Sequence, residues 1–427
     1  MNKVKLGEVL DVKRGASLSG DYYSESGEKI RLTLGNFDYP NGGFKENTSK
    51  SDIYFTGEVK PEFILKKGDI ITPLTEQVAG LLGETARIPE DDLYIQSGDV
   101  GLVIPNESKL DNKYAYYLLS SPLIKRQLGA AAQQTKIRHT SPDKIKDCEA
   151  WLPSLEYQKK AGELLDFINN KIKNNNKINA ELESMAKTIY DYWFLQFEFP
   201  NEEGKPYKSS GGKMVWNEEL KREIPEGWEV SQLKDKYSIE RGLSYTSKDI
   251  ESGVGVPMIN LACIDINRNY RDGELKYHNG NVPDSAKLNS EDLLVACTDL
   301  TRNADIVGSP ILTPNDDKTY TYSMDIAKLV PDERYFNKFY LYMALRTDFY
   351  HNYIKKWASG TNVLHLNLEG ISWYNTWIPP MGIQNKFAPI VEDIHKKKCE
   401  ILLENQELAS LRDFLLPMLM NGQIGFK

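Results

Sequence analysis

The chain has 427 residues, of which 40% are hydrophobic and 27% are charged, and its mean hydropathy is −0.50. This length allows two or three domains with cores of their own. No stretch approaches the roughly 18 apolar residues of a membrane span, and nothing at the start predicts a secretory signal. The net charge of −8 and the isoelectric point near 5.4 argue against a free-standing nucleic-acid-binding protein, which usually carries a basic excess.

Residues 1–151 alternate short apolar runs with Gly, Asn, Asp and Pro, which predicts a mixed α/β module with irregular loops. Predicted strands lie at Ile30–Leu34, Phe63–Leu65, Asp69–Thr72, Leu81–Leu82 and Val100–Ile104. Predicted short helices lie at Asn112–Leu119 and Pro122–Leu128.

Residues 152–198 change character and contain no internal turn signal after Glu156. From Ala161 to Trp193, positions spaced alternately by four and three form a heptad seam, with Asn175 and Asn179 as polar positions in its middle. The pattern predicts a long helix, since forty helical residues span roughly 60 Å. Residues 199–228 form a polar connector, whose Tyr207, Trp216 and Trp228 predict that it packs against the protein.

Residues 229–377 repeat the order of the first module, and residues 378–427 carry a second, noisier heptad seam. Predicted elements of this second module are strands at Val256–Leu261, Asp292–Ala296 and Ser323–Val330, and a helix at Asn337–Arg346. A shift of about 226 residues places Thr135–His139 on Thr361–His365. This period is far longer than a solenoid repeat of about 20–50 residues, so it indicates two copies of a module with its helix. Two like modules suit a partner with two like sites, such as a long nucleic acid.

The expected fold is therefore α/β (α+β), with two similar mixed modules joined by two long helices. Neither helix has an obvious partner nearby in sequence, so we expect the two to pack as an antiparallel coiled coil in a pseudo-two-fold internal repeat. The alternative is that each helix packs on its own module.

Catalytic and cofactor motifs are missing from the sequence. There is no phosphate-binding G-x-x-x-x-G-K-[ST] loop, no G-x-G-x-x-G after a predicted strand and no Asn-Pro-Pro-Tyr segment. The five histidines are scattered, and the spacing of Cys148, Cys263, Cys297 and Cys399 suggests neither a zinc site nor a disulfide framework. We expect no catalytic residue, no metal and no cofactor on this chain, and reduced thiols in the cytoplasm.

Basic and polar residues at matched positions of the repeat are candidates for contacts with DNA. Arg14 and Arg241 each precede a glycine early in a module, and a solvated arginine at a turn is the alternative. Arginine, amide and hydroxyl groups suit phosphate contacts and base edges. The run Lys125 to Lys146 holds six basic residues against one acidic residue. The other candidates, for which surface charges and ordinary loop residues are the alternative, are Lys125, Arg126, Lys136, Arg138, His139, Arg302, Asn303, Thr361, Asn362 and His365.

Several segments resemble the specificity subunits of type I restriction-modification systems. Leu152–Gln158 and Ile378–Gln384 resemble the "PL-P-x-x-x-Q" start of the family's long helices, although Tyr157 and Ile383 stand where Glu is expected. Other similar segments are Tyr190–Phe194, Gly204–Tyr207, Ile224–Trp228 and Leu415–Ile424. The resemblance covers essentially the whole chain.

The resemblance implies that residues 1–151 and 229–377 are target-recognition domains, each reading one half of a split, asymmetric double-stranded DNA sequence. It implies a non-catalytic subunit that docks two methyltransferase subunits and also restriction subunits. S-adenosylmethionine, ATP and Mg²⁺ would bind to those partners. Two alternatives remain at this point, a stand-alone DNA-binding regulator and a protein-binding scaffold with duplicated domains.

Overall fold

The computed structural model describes residues 2–39, 42–76, 80–131, 138–272, 275–301 and 303–426. The chain divides into two compact units, residues 1–174 with 406–427 and residues 175–405. Within the described ranges, no helix is long and apolar enough to cross a membrane. The four cysteines are buried, and none of them forms a disulfide.

The first half of the chain contains short strands and one long helix. Its strands are β1 (Asn2–Lys5), β2 (Leu10–Arg14), β3 (Tyr23–Ser24), β4 (Ile30–Arg31), β5 (Tyr54–Phe55), β6 (Ile70–Pro73), β7 (Thr75–Glu76), β8 (Ala86–Arg87), β9 (Tyr94–Ile95), β10 (Val100–Pro105), β11 (Arg138–His139) and β12 (Glu149–Leu152). Its helices are α1 (Asn112–Leu119), α2 (Pro122–Ala131), α3 (Pro142–Lys146) and α4 (Leu155–Tyr190), which continues in a π-helical turn, Asp191–Leu195.

The second half repeats this order after a hairpin in the connector. Its strands are β13 (Met214–Asn217), β14 (Arg222–Pro225), β15 (Glu229–Gln232), β16 (Tyr237–Arg241), β17 (Val256–Ile259), β18 (Lys276–His278), β19 (Leu293–Ala296), β20 (Thr298–Asp299), β21 (Pro310–Leu312), β22 (Thr321–Tyr322), β23 (Ile326–Pro331), β24 (Ala358–Ser359), β25 (Leu364–Leu366) and β26 (Asn375–Ile378). Its helices are α5 (Lys338–Leu345), α6 (Asp348–Ile354), α7 (Glu369–Ser372) and α8 (Met381–Met420).

Each unit contains a four-stranded antiparallel sheet with the same strand order. The first sheet runs β2-β10-β6-β8, and the second runs β16-β23-β19-β21. The register is also the same, because Leu102 lies opposite Ile71 in one sheet and Lys328 lies opposite Leu294 in the other. The order that the sequence repeat predicts is therefore present in the strand pairing of both units.

Apolar side chains on one face of the first sheet pack against a helix. In the first unit Val12, Ile70 and Val103 are buried and belong to one apolar core with Tyr114 of α1. The predicted bounds of α1 are correct, since the Asp111 carboxylate accepts a hydrogen bond from the Tyr114 amide at 3.0 Å and caps the helix.

The predicted strand at Leu81–Leu82 is wrong. The backbone amides of both residues donate hydrogen bonds to the carboxylate of Glu76, at 2.8 and 3.0 Å, instead of pairing with a strand. Local hydrophobicity cannot distinguish the two arrangements, because Leu82 is buried in either case.

Both long helices carry a buried glutamine in their first turn that ties them to their unit. Gln158 accepts a hydrogen bond from the Asp111 amide at 2.9 Å and donates to two backbone carbonyls, at 3.0 and 3.1 Å. Gln384 accepts from the Asn337 amide at 2.9 Å and donates to two carbonyls at 2.7 and 2.9 Å. The "PL-P-x-x-x-Q" segment thus places one amide side chain where it satisfies three backbone groups.

Residues of both long helices enter the core of each unit. In the first unit Ala161 and Leu165 of α4 belong to the same core as Leu419 of α8. In the second unit Tyr190 of α4 and Phe387 of α8 pack with ring centroids 6.0 Å apart. The predicted seam positions of α4, from Ala161 to Trp193, are all buried or half-buried, which agrees with the heptad pattern.

A cluster of ionised side chains is partly buried in the second unit. Glu183 of α4 pairs with Arg346, at 2.6 Å, and with Lys398 of α8. Burial alone would raise the pKa of Glu183, but the two cations outweigh it and hold that pKa below its usual range. Arg346 also donates to the Asn269 side chain at 2.9 Å, so the cluster connects both helices to the second module.

The connector packs through most of the aromatic residues that the sequence singled out. The ring of Phe199 stacks on Tyr207, with 4.6 Å between centroids, and Trp228 is buried beside it. Trp216 does not follow the prediction, since 57% of its surface is exposed on β13.

Candidate nucleic-acid interface

Both units expose an arginine at the same end of their four-stranded sheets. Arg14 is the last residue of β2 and Arg241 is the last residue of β16, and both side chains are exposed. The following residues, Gly15 and Gly242, pass so close to a neighbouring segment that a Cβ would lie 2.3 Å from a backbone carbonyl oxygen. Only glycine fits at this approach. The Arg-Gly pair therefore fixes where the arginine leaves the sheet.

The same hydrogen bonds surround the end of the third strand in both sheets. In the first unit the Leu74 amide donates to the Asp99 carbonyl at 2.8 Å, and the Leu74 carbonyl accepts from the Thr140 amide at 2.9 Å. Cys297 makes the corresponding bonds, at 2.7 and 2.8 Å, to residues 226 positions further along the chain than the partners of Leu74. The loops beyond this point therefore start from the same backbone frame in each unit.

In the second unit, several sequence-predicted residues lie on neighbouring segments of a small sheet. The strand order is β20-β25-β24, and Thr298 of β20 lies opposite His365 of β25. The side chains of His365, Thr361 and Asn362 are exposed, the last two between β24 and β25. Asn303 is also exposed, in the loop that follows β20. The fold thus gathers hydrogen-bonding groups from two loops separated by about sixty residues of sequence.

The first unit has a matching pair of strands. His139 of β11 is exposed and lies opposite Thr75 of β7. Arg138 shares that strand, but its side chain lies outside the described residues, as do all of Lys136 and Arg302. These three residues stay predictions.

The basic run in the first module is partly neutralised by the fold. The Lys125 ammonium pairs with the Glu84 carboxylate, and Lys146 pairs with Asp11 at 3.6 Å. Arg126 is exposed, and its Nε donates to a carbonyl of its own helix at 3.1 Å. A count of charges along residues 125–146 misses both carboxylates, because they come from distant segments. Lys125 thus has an internal partner, which weakens the argument for a phosphate contact.

Two buried carboxylates beside these loops were missed by sequence reasoning. Glu76 is 2% exposed and Asp299 is 0% exposed, and each follows a threonine, in β7 and in β20. The signal was present as an acidic residue after Thr75 and after Thr298, 223 positions apart. It was overlooked because an isolated acidic residue in an apolar run has no distinctive spacing.

The chemistry of the interface suits recognition. Within the described residues, no group of three or more His, Cys, Asp and Glu side chains could hold a metal ion. Burial raises the pKa of Cys297 to about 11, so this thiol stays protonated near neutral pH and is a poor nucleophile. The exposed groups are arginine, histidine, amide and hydroxyl side chains, which are suited to phosphates and base edges.

Comparisons with known proteins show which family the chain resembles. The sequence model of the type I restriction modification DNA specificity domain matches residues 1–184 and again residues 225–412. The type I restriction enzyme MjaIX specificity subunit of Methanocaldococcus jannaschii is 27% identical over 338 residues, which cover 75% of this chain and 71% of that protein. The HindI specificity subunit of Haemophilus influenzae is 23% identical over 415 residues, with coverage of 84% and 87%.

A solved structure has the same fold. The S subunit of a type I restriction-modification system from M. genitalium matches with a TM-score of 0.60 and 15% identity, over 100% of this chain and 96% of that one. The relatives are specificity subunits, which are the non-catalytic components of these systems. The family's domain is matched twice, and the two matches together cover most of the chain. The chain therefore belongs to the family of type I restriction-modification DNA specificity proteins.

Proposed function

We propose that this protein is the DNA-recognition subunit of a type I restriction-modification complex and that it reads a bipartite, asymmetric target. Residues 1–151 and residues 229–377 act as two target-recognition domains, and each reads one half of the sequence. The observation that carries this proposal is the duplicated frame at the sheet ends, with Arg14 and His139 in one unit and Arg241 and His365 in the other.

The two modules differ in sequence just before the matched histidines. Lys136, Ile137 and Arg138 precede His139, whereas Asn362, Val363 and Leu364 precede His365. Different side chains on the same backbone frame would read different bases, since specificity comes from base-edge contacts and phosphate contacts only position the protein. The two half-sites should therefore differ in sequence.

The long helices are proposed to form an antiparallel coiled-coil pair that separates the recognition domains. Contacts inside each unit support this arrangement. In the first unit Tyr157, near the start of α4, donates to the Leu419 carbonyl at 3.3 Å, near the end of α8. In the second unit Asn175 donates to Asn405 at 2.9 Å, and Glu183 pairs with Lys398. Residues later in α4 therefore contact residues earlier in α8, as in an antiparallel pair. Such a pair would fix the number of unspecified base pairs between the half-sites.

The helical pair is also the proposed docking site for two methyltransferase subunits, and restriction subunits would join that assembly. The cofactors of the complex, S-adenosylmethionine, ATP and Mg²⁺, would bind to those partners, and the complex would act on double-stranded DNA in the cytoplasm. Much of the positive surface around the DNA would then come from the partners, which reconciles a net charge of −8 with DNA binding.

Methylation mapping tests this function. Genomic DNA is sequenced for modified bases from cells that carry the intact system, with the gene for this chain present and deleted. We expect one methylated motif with two specified parts and a spacer of constant length, and we expect it to disappear in the deletion strain. A continuous motif, a variable spacer or methylation that survives the deletion would contradict the proposal.

A further inference from the structure

The loop that follows β20 is closed by a single buried carboxylate. Asp299 is fully buried, and its Oδ1 accepts a hydrogen bond from the Thr301 amide at 2.6 Å. Its Oδ2 accepts from the Ile306 and Val307 amides, at 2.7 and 2.9 Å. One side chain therefore ties the beginning of the loop to its end. Leu300, which directly follows Asp299, is 67% exposed.

The first unit uses the same device with a different residue. Glu76 is buried, and its Oε2 accepts hydrogen bonds from the amides of Gly80, Leu81 and Leu82, at 3.1, 2.8 and 3.0 Å. Like Asp299, it lies on a two-residue strand that pairs with the strand of the exposed histidine. Glu76 binds amides four to six residues after itself, whereas Asp299 binds amides two, seven and eight residues after itself.

A carboxylate suits this task because it only accepts hydrogen bonds, and several backbone amides can converge on it. Bonds to an ionised acceptor are roughly twice as strong as neutral ones, which offsets part of the cost of burying the charge. The observed partners of Asp299 are the loop amides of Thr301, Ile306 and Val307. Both carboxylate oxygens of Asp299 thus hold the loop backbone in its conformation.

We infer that Asp299 and Glu76 are positioning residues for target reading, each setting the conformation of one DNA-reading loop. This inference rests on the proposed function and deepens it. Neither residue contacts DNA, because both are buried. Each acts through the loop it anchors, in which Leu300 and Asn303 are the exposed described residues of the second unit.

The test uses the assembled complex of this chain with its methyltransferase subunits, and the probe is duplex DNA that carries the mapped target. Affinity is compared with that for duplexes in which one half-site or the other is scrambled. Asp299→Asn replaces one acceptor oxygen by an NH₂ group that cannot accept. Because one mismatched base pair costs about 1–3 kcal/mol, we expect discrimination at the half-site read by residues 229–377 to fall by about tenfold or more. Discrimination at the other half-site should stay within about twofold.

Glu76→Gln is the reciprocal variant and should reduce discrimination only at the half-site read by residues 1–151. Asp305→Asn is the matched control, because it makes the same chemical change in the same loop but accepts none of the three amide bonds. If Asp299→Asn does not yield folded complex, Glu76→Gln decides the question in the other module. Unchanged discrimination in the folded variants, or an equal loss at both half-sites, would overturn the inference. A wild-type complex without two-part specificity would instead overturn the proposed function.

Discussion

Replacing Glu183 by alanine should lower the free energy of unfolding of the second unit by about 3–5 kcal/mol, the usual cost of removing one partner from a buried ion pair. The Glu183 side chain is 20% exposed, Lys398 is 19% exposed and Arg346 is 12% exposed. Without the Glu183 carboxylate, two cations remain side by side with little water around them. Urea unfolding followed by tryptophan fluorescence measures the loss.

The pH dependence of stability separates this effect from lost packing. The pKa of Glu183 lies below its usual value of 4.5 in the folded protein. Its contribution is therefore complete above pH 4.5 and disappears as the pH falls through the lower, folded value. We expect the difference between wild type and Glu183→Ala to shrink in acid. Glu181→Ala, an exposed change on the same helix, should alter stability by no more than about 0.5 kcal/mol. A difference that stays constant down to low pH would exclude the electrostatic explanation.

Replacing Gln384 by alanine should destabilise the second unit by about 3 kcal/mol or more. The change leaves the Asn337 amide and the carbonyls of Tyr335 and Pro379 without their partner in a site where Gln384 is 0% exposed. A buried group that loses its hydrogen bond costs about 1–3 kcal/mol. The loss of stability should appear as a lower midpoint temperature of thermal unfolding.

Two matched variants give this experiment its control. Gln158→Ala removes the equivalent bonds from the first unit and should cost a similar amount there. Gln196→Ala changes an exposed glutamine and should be close to neutral. If Gln384→Ala unfolds with the same midpoint as Gln196→Ala, Gln384 does not anchor α8.

Features that depend on periodicity could be predicted from the sequence. The heptad seam from Ala161 to Trp193, the helix Asn112–Leu119 and the repeat at a shift of about 226 residues all follow from the spacing of apolar and turn residues. The two glutamines could be marked as significant through the resemblance, but their hydrogen bonds could not. Two of the three partners of each glutamine lie 47 to 49 residues away in sequence.

The candidate interface was only partly predictable, because it depends on long-range contacts. Lys125 appeared to be a free cation until the fold placed Glu84 beside it. Leu81–Leu82 was predicted as a strand because both residues are apolar. The sequence does not show that the Glu76 carboxylate accepts hydrogen bonds from their amides. Asp299 is not among the predicted site residues, because its hydrogen bonds to the Ile306 and Val307 amides leave no sequence signal.

The central claim is that each module reads its own half of one DNA target, and a module exchange tests it most directly. Residues 1–151 are replaced by the first module of another specificity subunit, and the methylated motif of the hybrid is mapped. We predict that one half-site changes to the donor's sequence while the other half-site and the spacer are retained. A hybrid that keeps the parental motif, or one in which both half-sites change, would contradict the account.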